Sequence, residues 1–151
     1  QIPKEYLEKM DPLKEELLLK QLPKLKEDQS LRILKAKIYY DKLKKFDCFI
    51  FPQTDFDDTN IFIDFPILCK SEDLKNFIWK KSLAYNIDIK NYYYTNCGTH
   101  TNFKKYCKDR TYLNSKNTEK KIFMLPVNKS FNEKDINKII KFLSNCVDEK
   151  N

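Results

Sequence analysis

Three side chains that could bind a metal or act as a nucleophile lie close together in the sequence: Cys97, His100 and Cys107. A structural zinc site takes four ligands, commonly as two closely spaced pairs. Only one such pair exists here, so the spacing predicts no metal site. Cys97 and His100 could also form a thiol nucleophile and its base, but no third residue that would orient the histidine is identifiable. We therefore interpret His100, the only histidine, as a loop residue without imidazole catalysis.

The most unusual local cluster is a run of three tyrosines, Tyr92, Tyr93 and Tyr94. In a strand, Tyr92 and Tyr94 would face one way and Tyr93 the other. One side could pack in the core. The other could line a pocket or a subunit interface, where a ring with a hydroxyl group is useful. The residues alone leave both interpretations open.

The glycine content excludes two classes of phosphate-binding site. Walker and Rossmann loops need several glycines for tight turns and close backbone approach. This chain has one glycine, Gly98, so neither loop can be built.

The net charge of +7 raises the possibility of nucleic-acid binding. Of the 29 basic residues only Arg32 and Arg110 are arginines, the residue type that base readout and bidentate phosphate contacts favour. The lysines are spread along the chain and mixed with 22 acidic residues. This pattern favours a solvated lysine-rich surface over a nucleic-acid interface.

The five cysteines and the hydropathy pattern predict a cytoplasmic protein. Their number is odd and no pair is spaced as Cys-x-x-Cys, which is typical of reduced thiols. No apolar run is long enough to cross a membrane, so no membrane association is expected. A chain of 151 residues with 41% hydrophobic residues can form one domain with an appendage.

Residues 11–46 are predicted to form a helical arm. Asp11 is a plausible N-cap and Pro12 suits the first helical position, while Pro23 predicts a kink or break. The pattern predicts two apolar stripes, one before and one after Asp28: Leu13, Leu17, Leu18, Leu22 and Leu25, then Leu31, Leu34, Ile38, Tyr39, Leu43 and Phe46.

After the arm, the pattern predicts strands over residues 61–68, 87–95 and 121–127. Ser71 and Asn132 are the expected N-caps of two helices, and Asn86 is expected to end the first in the left-handed conformation. In the second helix one face is apolar throughout: Ile136, Ile139, Ile140, Leu143 and Val147. The predicted fold class is α+β. A long N-terminal helical arm (1–47) is followed by a small domain (48–151), in which a mainly antiparallel sheet packs against helices.

The order of these segments resembles the C-terminal part of the DegT/DnrJ/StrS family of sugar aminotransferases, pyridoxal-phosphate (PLP) enzymes of the aspartate-aminotransferase fold. The resemblance covers nearly the whole chain and rests on five segments in register: Met10–Leu13 with Leu17–Leu25, Phe65–Leu68, the helix ending at Asn86 and Ile87, Tyr92–Tyr94, and Met124–Pro126 with Asn132–Leu143.

The resemblance implies a small C-terminal domain whose partner is a PLP-binding large domain or a second subunit. That large domain supplies the Schiff-base lysine, and none of the 27 lysines here lies in a comparable motif. The resemblance also implies that the complete enzyme would move an amino group from glutamate onto a keto-sugar nucleotide. We therefore expect this chain to be part of the enzyme, to contain no catalytic residues, and to bind no cofactor alone.

The sequence also departs from the family pattern. An Asn-Tyr-Arg-Met-like stretch reads Leu7, Glu8, Lys9, Met10, and Lys9 lacks the fork geometry of arginine. The usual glycine after the middle helix is Asn86. A His-Tyr-Pro-like stretch is replaced by residues 93–95. These differences leave open a non-catalytic interaction domain derived from the same fold.

If the resemblance holds, residues 92–100 should face the sugar-nucleotide cleft. This stretch combines three tyrosines, the sole glycine and the sole histidine beside a predicted strand end. It offers stacking surfaces and hydroxyl donors. The expected substrate-binding residues are Tyr93 and Tyr94, with His100 as a third.

Overall fold

The computed structural model describes residues 9–57, 59–91, 96–98, 100, 103, 106–107 and 112–150. The helical arm consists of α1 (Pro12–Gln21), a 3-10 turn (Leu22–Lys24) and α2 (Leu25–Leu43). Asp11 caps α1 through its side chain, which accepts a hydrogen bond of 2.9 Å from the backbone N–H of Leu13. The predicted break at Pro23 is confirmed as the 3-10 turn.

A three-stranded antiparallel sheet follows, in the order β1 (Phe49–Ile50), β2 (Asp64–Cys69) and β3 (Ile122–Pro126). The central strand β2 pairs Phe65 with Leu125 and Ile67 with Phe123. These four side chains are buried, so one face of the sheet forms the core.

Three helices surround the sheet: α3 (Glu72–Ala84), α4 (Leu113–Lys121) and α5 (Glu133–Lys150). The hydroxyl of Ser71 accepts a hydrogen bond from the backbone of Leu74, and the side chain of Asn132 accepts from two amides of α5. Asn86 has a φ of 50° after α3. All three predicted helix-end residues are therefore confirmed.

The core lies between the sheet and helices α2, α3 and α5. Helix α5 packs against α2 and α3, and both of those helices contact β2. The hydroxyl of Tyr39 on α2 donates a hydrogen bond of 3.2 Å to the carbonyl of Pro126, and Lys35 donates one of 2.7 Å to the carbonyl of Asn128. These bonds join the arm to the end of β3. The α+β class, with a long helical arm and a small antiparallel sheet, is confirmed.

The apolar stripes predicted on the arm are partly wrong. In α2 the buried side chains are Ile33, Ala36, Tyr39 and Leu43, whereas Leu31 and Leu34 are exposed. All leucines of the first stripe are exposed as well. The predicted stripe missed Ala36, whose small side chain lets α2 approach its neighbours closely.

The strand boundaries also differ from the prediction. The strand expected over 61–68 begins at Asp64 instead and includes Pro66. The pairing with β1 covers Leu68 and Cys69 and does not reach Pro66, and proline is tolerated where one side of a strand is an edge. Of the strand expected over 87–95, the described part contains an isolated bridge between Lys90 and Met124. The division into 1–47 and 48–151 stays a prediction, although buried residues of α2 belong to the same core as the sheet.

Candidate functional site

Of the three predicted substrate-binding residues, Tyr93 and Tyr94 lie outside the described residues. His100 is described and its side chain is exposed. Its backbone N–H donates a hydrogen bond of 3.2 Å to the carbonyl of Cys97, and its ring centroid lies 5.8 Å from that of Phe103. The structure therefore leaves the imidazole accessible to solvent.

The segment that leads to the tyrosines is fixed to the edge of the sheet. Lys90 exchanges two backbone hydrogen bonds with Met124, of 3.0 and 2.9 Å. Its ammonium group lies 2.9 and 3.0 Å from the two carboxylate oxygens of Asp64 on β2. The Asp64 side chain is only 8% exposed, so this ion pair is largely shielded from water. Together with buried Ile89, these contacts set where the chain enters the tyrosine segment.

Asn91 comes directly before the tyrosines. Its side-chain oxygen Oδ1 is buried, and within the described part of the chain it accepts no hydrogen bond. Buried polar atoms without a partner are uncommon, and they call for an explanation. This oxygen is thus an acceptor beside the predicted site.

Gly98 lies beneath an aromatic ring. The side-chain oxygen of Asn96, a buried residue, accepts a hydrogen bond of 3.0 Å from the N–H of Gly98. A Cβ atom added to Gly98 would lie 2.4 Å from Cδ2 of Tyr112. Since that distance is impossible for real atoms, glycine is required for close approach.

Tyr112 also precedes helix α4 as its N-cap, and its side chain makes no capping hydrogen bond. An open depression of about 510 Å³ lies at this helix end, lined in part by Tyr112, Leu113, Asn114 and Ser115. The first amides of a helix carry partial positive charge and can bind anions. The arrangement therefore combines a ring and backbone donors near the loop of His100.

The residues considered for metal binding or thiol chemistry differ in exposure. Cys97 is exposed and Cys107 is half-buried. Over the residues that the structure describes, no three His, Cys, Asp or Glu side chains are placed to hold a metal ion. Over the same residues, no helix has the length and apolar character needed to cross a bilayer.

The described residues do not fit a PLP site. Lys75 is the only buried lysine among them, and burial lowers its pKa although Glu72 and Cys69 act in the opposite direction. A Schiff-base lysine needs space for the cofactor and a cradle for its phosphate. The single glycine that could open such a cradle is covered by the ring of Tyr112. A PLP cofactor would therefore have to be held by other parts of an enzyme.

Two contacts of this site were not predicted from the sequence: the Tyr112–Gly98 contact and the Lys90–Asp64 ion pair. The isolated glycine was a usable signal, because a lone glycine often marks a close approach to the backbone. Nothing in the local pattern indicated the ion pair, since its partners are 26 residues apart.

The comparison with protein-family models identifies one family. A family model described as the DegT/DnrJ/EryC1/StrS aminotransferase family matches residues 6–144. A search of curated protein sequences returns no significant match.

Several solved aminotransferase structures have a similar fold. The aminotransferase TlmJ from Streptoalloteichus hindustanus superposes with a TM-score of 0.75 at 13% identity, over 87% of this chain and 35% of its own. A DegT DnrJ EryC1 StrS aminotransferase from Brucella abortus gives 0.70 at 24% identity, over 85% and 33%. NtdA from Bacillus subtilis, solved with bound cofactor PMP, gives 0.64 at 15% identity, over 78% and 28%. The chain thus spans about a third of the length of these structures.

Proposed function

Because this chain belongs to the DegT/DnrJ/EryC1/StrS aminotransferase family, we propose that it is the C-terminal portion of a PLP-dependent nucleotide-sugar aminotransferase. The complete enzyme moves an amino group, from glutamate as donor, onto a keto-sugar nucleotide in the cytoplasm. The family match over residues 6–144 carries this proposal. The PMP bound to the similar fold of NtdA supports PLP as the cofactor of the complete enzyme.

Two uncovered apolar surfaces support a large partner. The first is formed by the leucines of residues 13–25 in the arm, which are 45–66% exposed: Leu13, Leu17, Leu18, Leu19, Leu22 and Leu25. The second is the face of the sheet opposite the core, where a shallow depression of about 220 Å³ is lined by Ile50, Phe51, Pro52, Pro66, Leu68 and Ile122. Apolar patches of this kind mark interaction sites. We assign them to the PLP-binding large domain or a second subunit.

The proposed substrate-binding residues are Tyr93, Tyr94 and His100. The exposure of His100 and the depression beside Tyr112 support this assignment, because a sugar nucleotide needs ring surfaces and donors for its phosphates. The Lys90–Asp64 pair would hold this segment in place. Cofactor binding and proton transfer would belong to the large domain, since the described residues do not fit PLP.

Reconstitution tests the proposal. The 151-residue chain is mixed with the PLP-binding domain encoded immediately upstream or in a neighbouring gene. We expect PLP absorbance from the large domain and amino transfer from glutamate to a keto-sugar nucleotide from the mixture only. The absence of such a coding sequence, or a large domain that is fully active alone, would contradict the proposal.

A second candidate function is a non-catalytic interaction domain derived from this fold. The replaced stretch at Leu7–Met10 and the uncovered leucines of the arm favour it. The same mixing experiment separates the two. Restored transamination excludes the interaction domain, whereas stable association without activity would favour it.

A further inference from the structure

A groove runs between helices α3 and α5, and its described lining residues are different from those of the proposed sugar-nucleotide site. It encloses about 200 Å³, and its described lining residues are Lys81, Tyr85, Ile87, Lys138, Lys141, Phe142, Asn145, Cys146 and Glu149. Neither the family match nor the proposed function assigns a role to this groove.

The floor of the groove is apolar. Phe142, Ile87 and Cys146 are at most 8% exposed. Burial raises the pKa of the Cys146 thiol to about 11, so the thiol is uncharged at neutral pH. The ring of Tyr85 stands at one side, with its centroid 6.0 Å from that of Phe142 and the two planes at 50°. The two rings contact each other, and their remaining exposed surface offers packing for a third ring or a short alkyl chain.

The rim of the groove is positively charged. Lys81 forms an ion pair with Glu149 and also lies 5.0 Å from the ring centroid of Phe77. Lys138 and Lys141 are exposed, and within the described part of the chain neither forms an ion pair. Residues three apart on a helix are neighbours on its surface. A single carboxylate can therefore contact both ammonium groups.

We propose that this groove binds a small carboxylate that carries an aromatic ring or a short apolar chain. The apolar part lies against Phe142 and Tyr85, and the carboxylate lies between Lys138 and Lys141. The volume argues for a small occupant, because drug-sized ligands fill about 300–1,000 Å³. The charge of the rim argues for an anion. The proposal does not depend on the aminotransferase function, so either can fail alone.

Binding is measured by NMR titration of the 151-residue chain with three probes. 3-Phenylpropionate has both ring and carboxylate, 3-phenylpropylamine has the ring with the opposite charge, and propionate lacks the ring. We expect saturable shift changes confined to Tyr85, Ile87 and residues 138–149 with the first probe. The other two should bind at least about tenfold more weakly. Equal binding of the amine, or shifts scattered over the surface, would overturn the proposal.

Two double variants of exposed lysines provide the matched comparison. Lys138→Gln with Lys141→Gln removes the proposed anion contacts, whereas Lys129→Gln with Lys134→Gln removes two exposed lysines outside the groove. We expect the first to weaken 3-phenylpropionate binding about tenfold and the second to leave it unchanged. All four side chains are exposed, so neither variant should disturb folding. Equal affinities of the two variants for 3-phenylpropionate would overturn the proposal. A concentration-dependent dimer that covers the groove and excludes the probe would overturn it as well.

Discussion

Gly98 shows how one residue can be dictated by a neighbour far away in the sequence. Its N–H is bound by Asn96 and its open side is filled by the ring of Tyr112. The described residues contain no glycine with positive φ, so the requirement is steric and not conformational. The contact ties the loop of His100 to the start of α4.

Replacing Gly98 with alanine should therefore displace the Tyr112 ring. We expect Gly98→Ala to lower the free energy of unfolding by about 1–3 kcal/mol, the usual cost of overpacking. Removing the ring as well, in Gly98→Ala with Tyr112→Ala, should cost less than the sum of the two single changes. Urea denaturation of the four proteins of this cycle gives the coupling. Strict additivity would show that the two residues do not constrain each other.

The Lys90–Asp64 pair should matter more than an exposed pair of similar geometry. Asp64→Asn removes the negative charge next to the Lys90 ammonium at a side chain that is only 8% exposed, so we expect a loss of about 1.5–3 kcal/mol. The matched control is Asp41→Asn, because Asp41 pairs with Lys44 at 2.8 Å on the surface. Its cost should stay below about 1 kcal/mol. Equal losses in urea denaturation would contradict the shielding argument.

Helix α5 is the element that the sequence predicted best. Its N-cap at Asn132 and the buried residues Ile136, Ile139, Leu143 and Val147 are confirmed. Both signals are local, since a cap involves the next three residues and an amphipathic face repeats every turn. The loop around Gly98 has no such period. Its contact with Tyr112 spans 14 positions and could not be predicted from local pattern.

The arm was misread because a leucine stripe predicts a buried face whether or not the chain supplies the partner surface. In α1 and the start of α2 the leucines extend beyond the core of this domain. The true contact face of α2 includes Ala36, which carries almost no hydrophobic signal. A stripe thus indicates an interface, but not with which molecule.

Two leucines of the arm should therefore behave differently in the isolated chain. Leu43 is fully buried, and Leu43→Ala should cost about 2–5 kcal/mol. Leu18 is 45% exposed, and Leu18→Ala should change stability by less than about 0.5 kcal/mol. Thermal denaturation of both variants checks this. A large loss of stability for Leu18→Ala in the isolated chain would contradict the exposed position of Leu18. If the PLP-binding domain covers the arm, the same variant should weaken assembly in the reconstitution experiment.

The chain has one well-packed side, and apolar side chains also lie outside it. The core joins the sheet to α2, α3 and α5, whereas the leucines of residues 13–25 are exposed and a shallow depression on the opposite face of the sheet is lined by apolar residues. A domain of this size is stabilised by a modest margin, so such surfaces are retained when they have a function. This division fits a small domain that folds around its own core and assembles with a larger partner.

The free energy of unfolding should fall at alkaline pH, because ionisable groups are buried in the core. Burial raises the pKa of Cys69 from 9.0 to about 12 and that of Cys146 from 9.0 to about 11, and it also raises the pKa of the Tyr39 hydroxyl. The folded state thus holds these protons more tightly than the unfolded chain. Above pH 9 the thiols of the unfolded chain ionise while those of the folded chain stay protonated. The free energy of unfolding should therefore decrease by about 1.4 kcal/mol per pH unit for each of the two thiols. For Cys146 this decrease should level off near pH 11.

Urea denaturation at a series of pH values from below 9 to about 11 measures this slope. Cys146→Ala removes one ionising group and should flatten the curve, whereas Cys97→Ala, at an exposed thiol, is the matched control and should leave the slope as it is. Below pH 9 the stabilising contribution is fully present, so the three proteins should show parallel and nearly flat profiles there. A slope that Cys146→Ala does not reduce would show that this thiol is not buried in the folded chain.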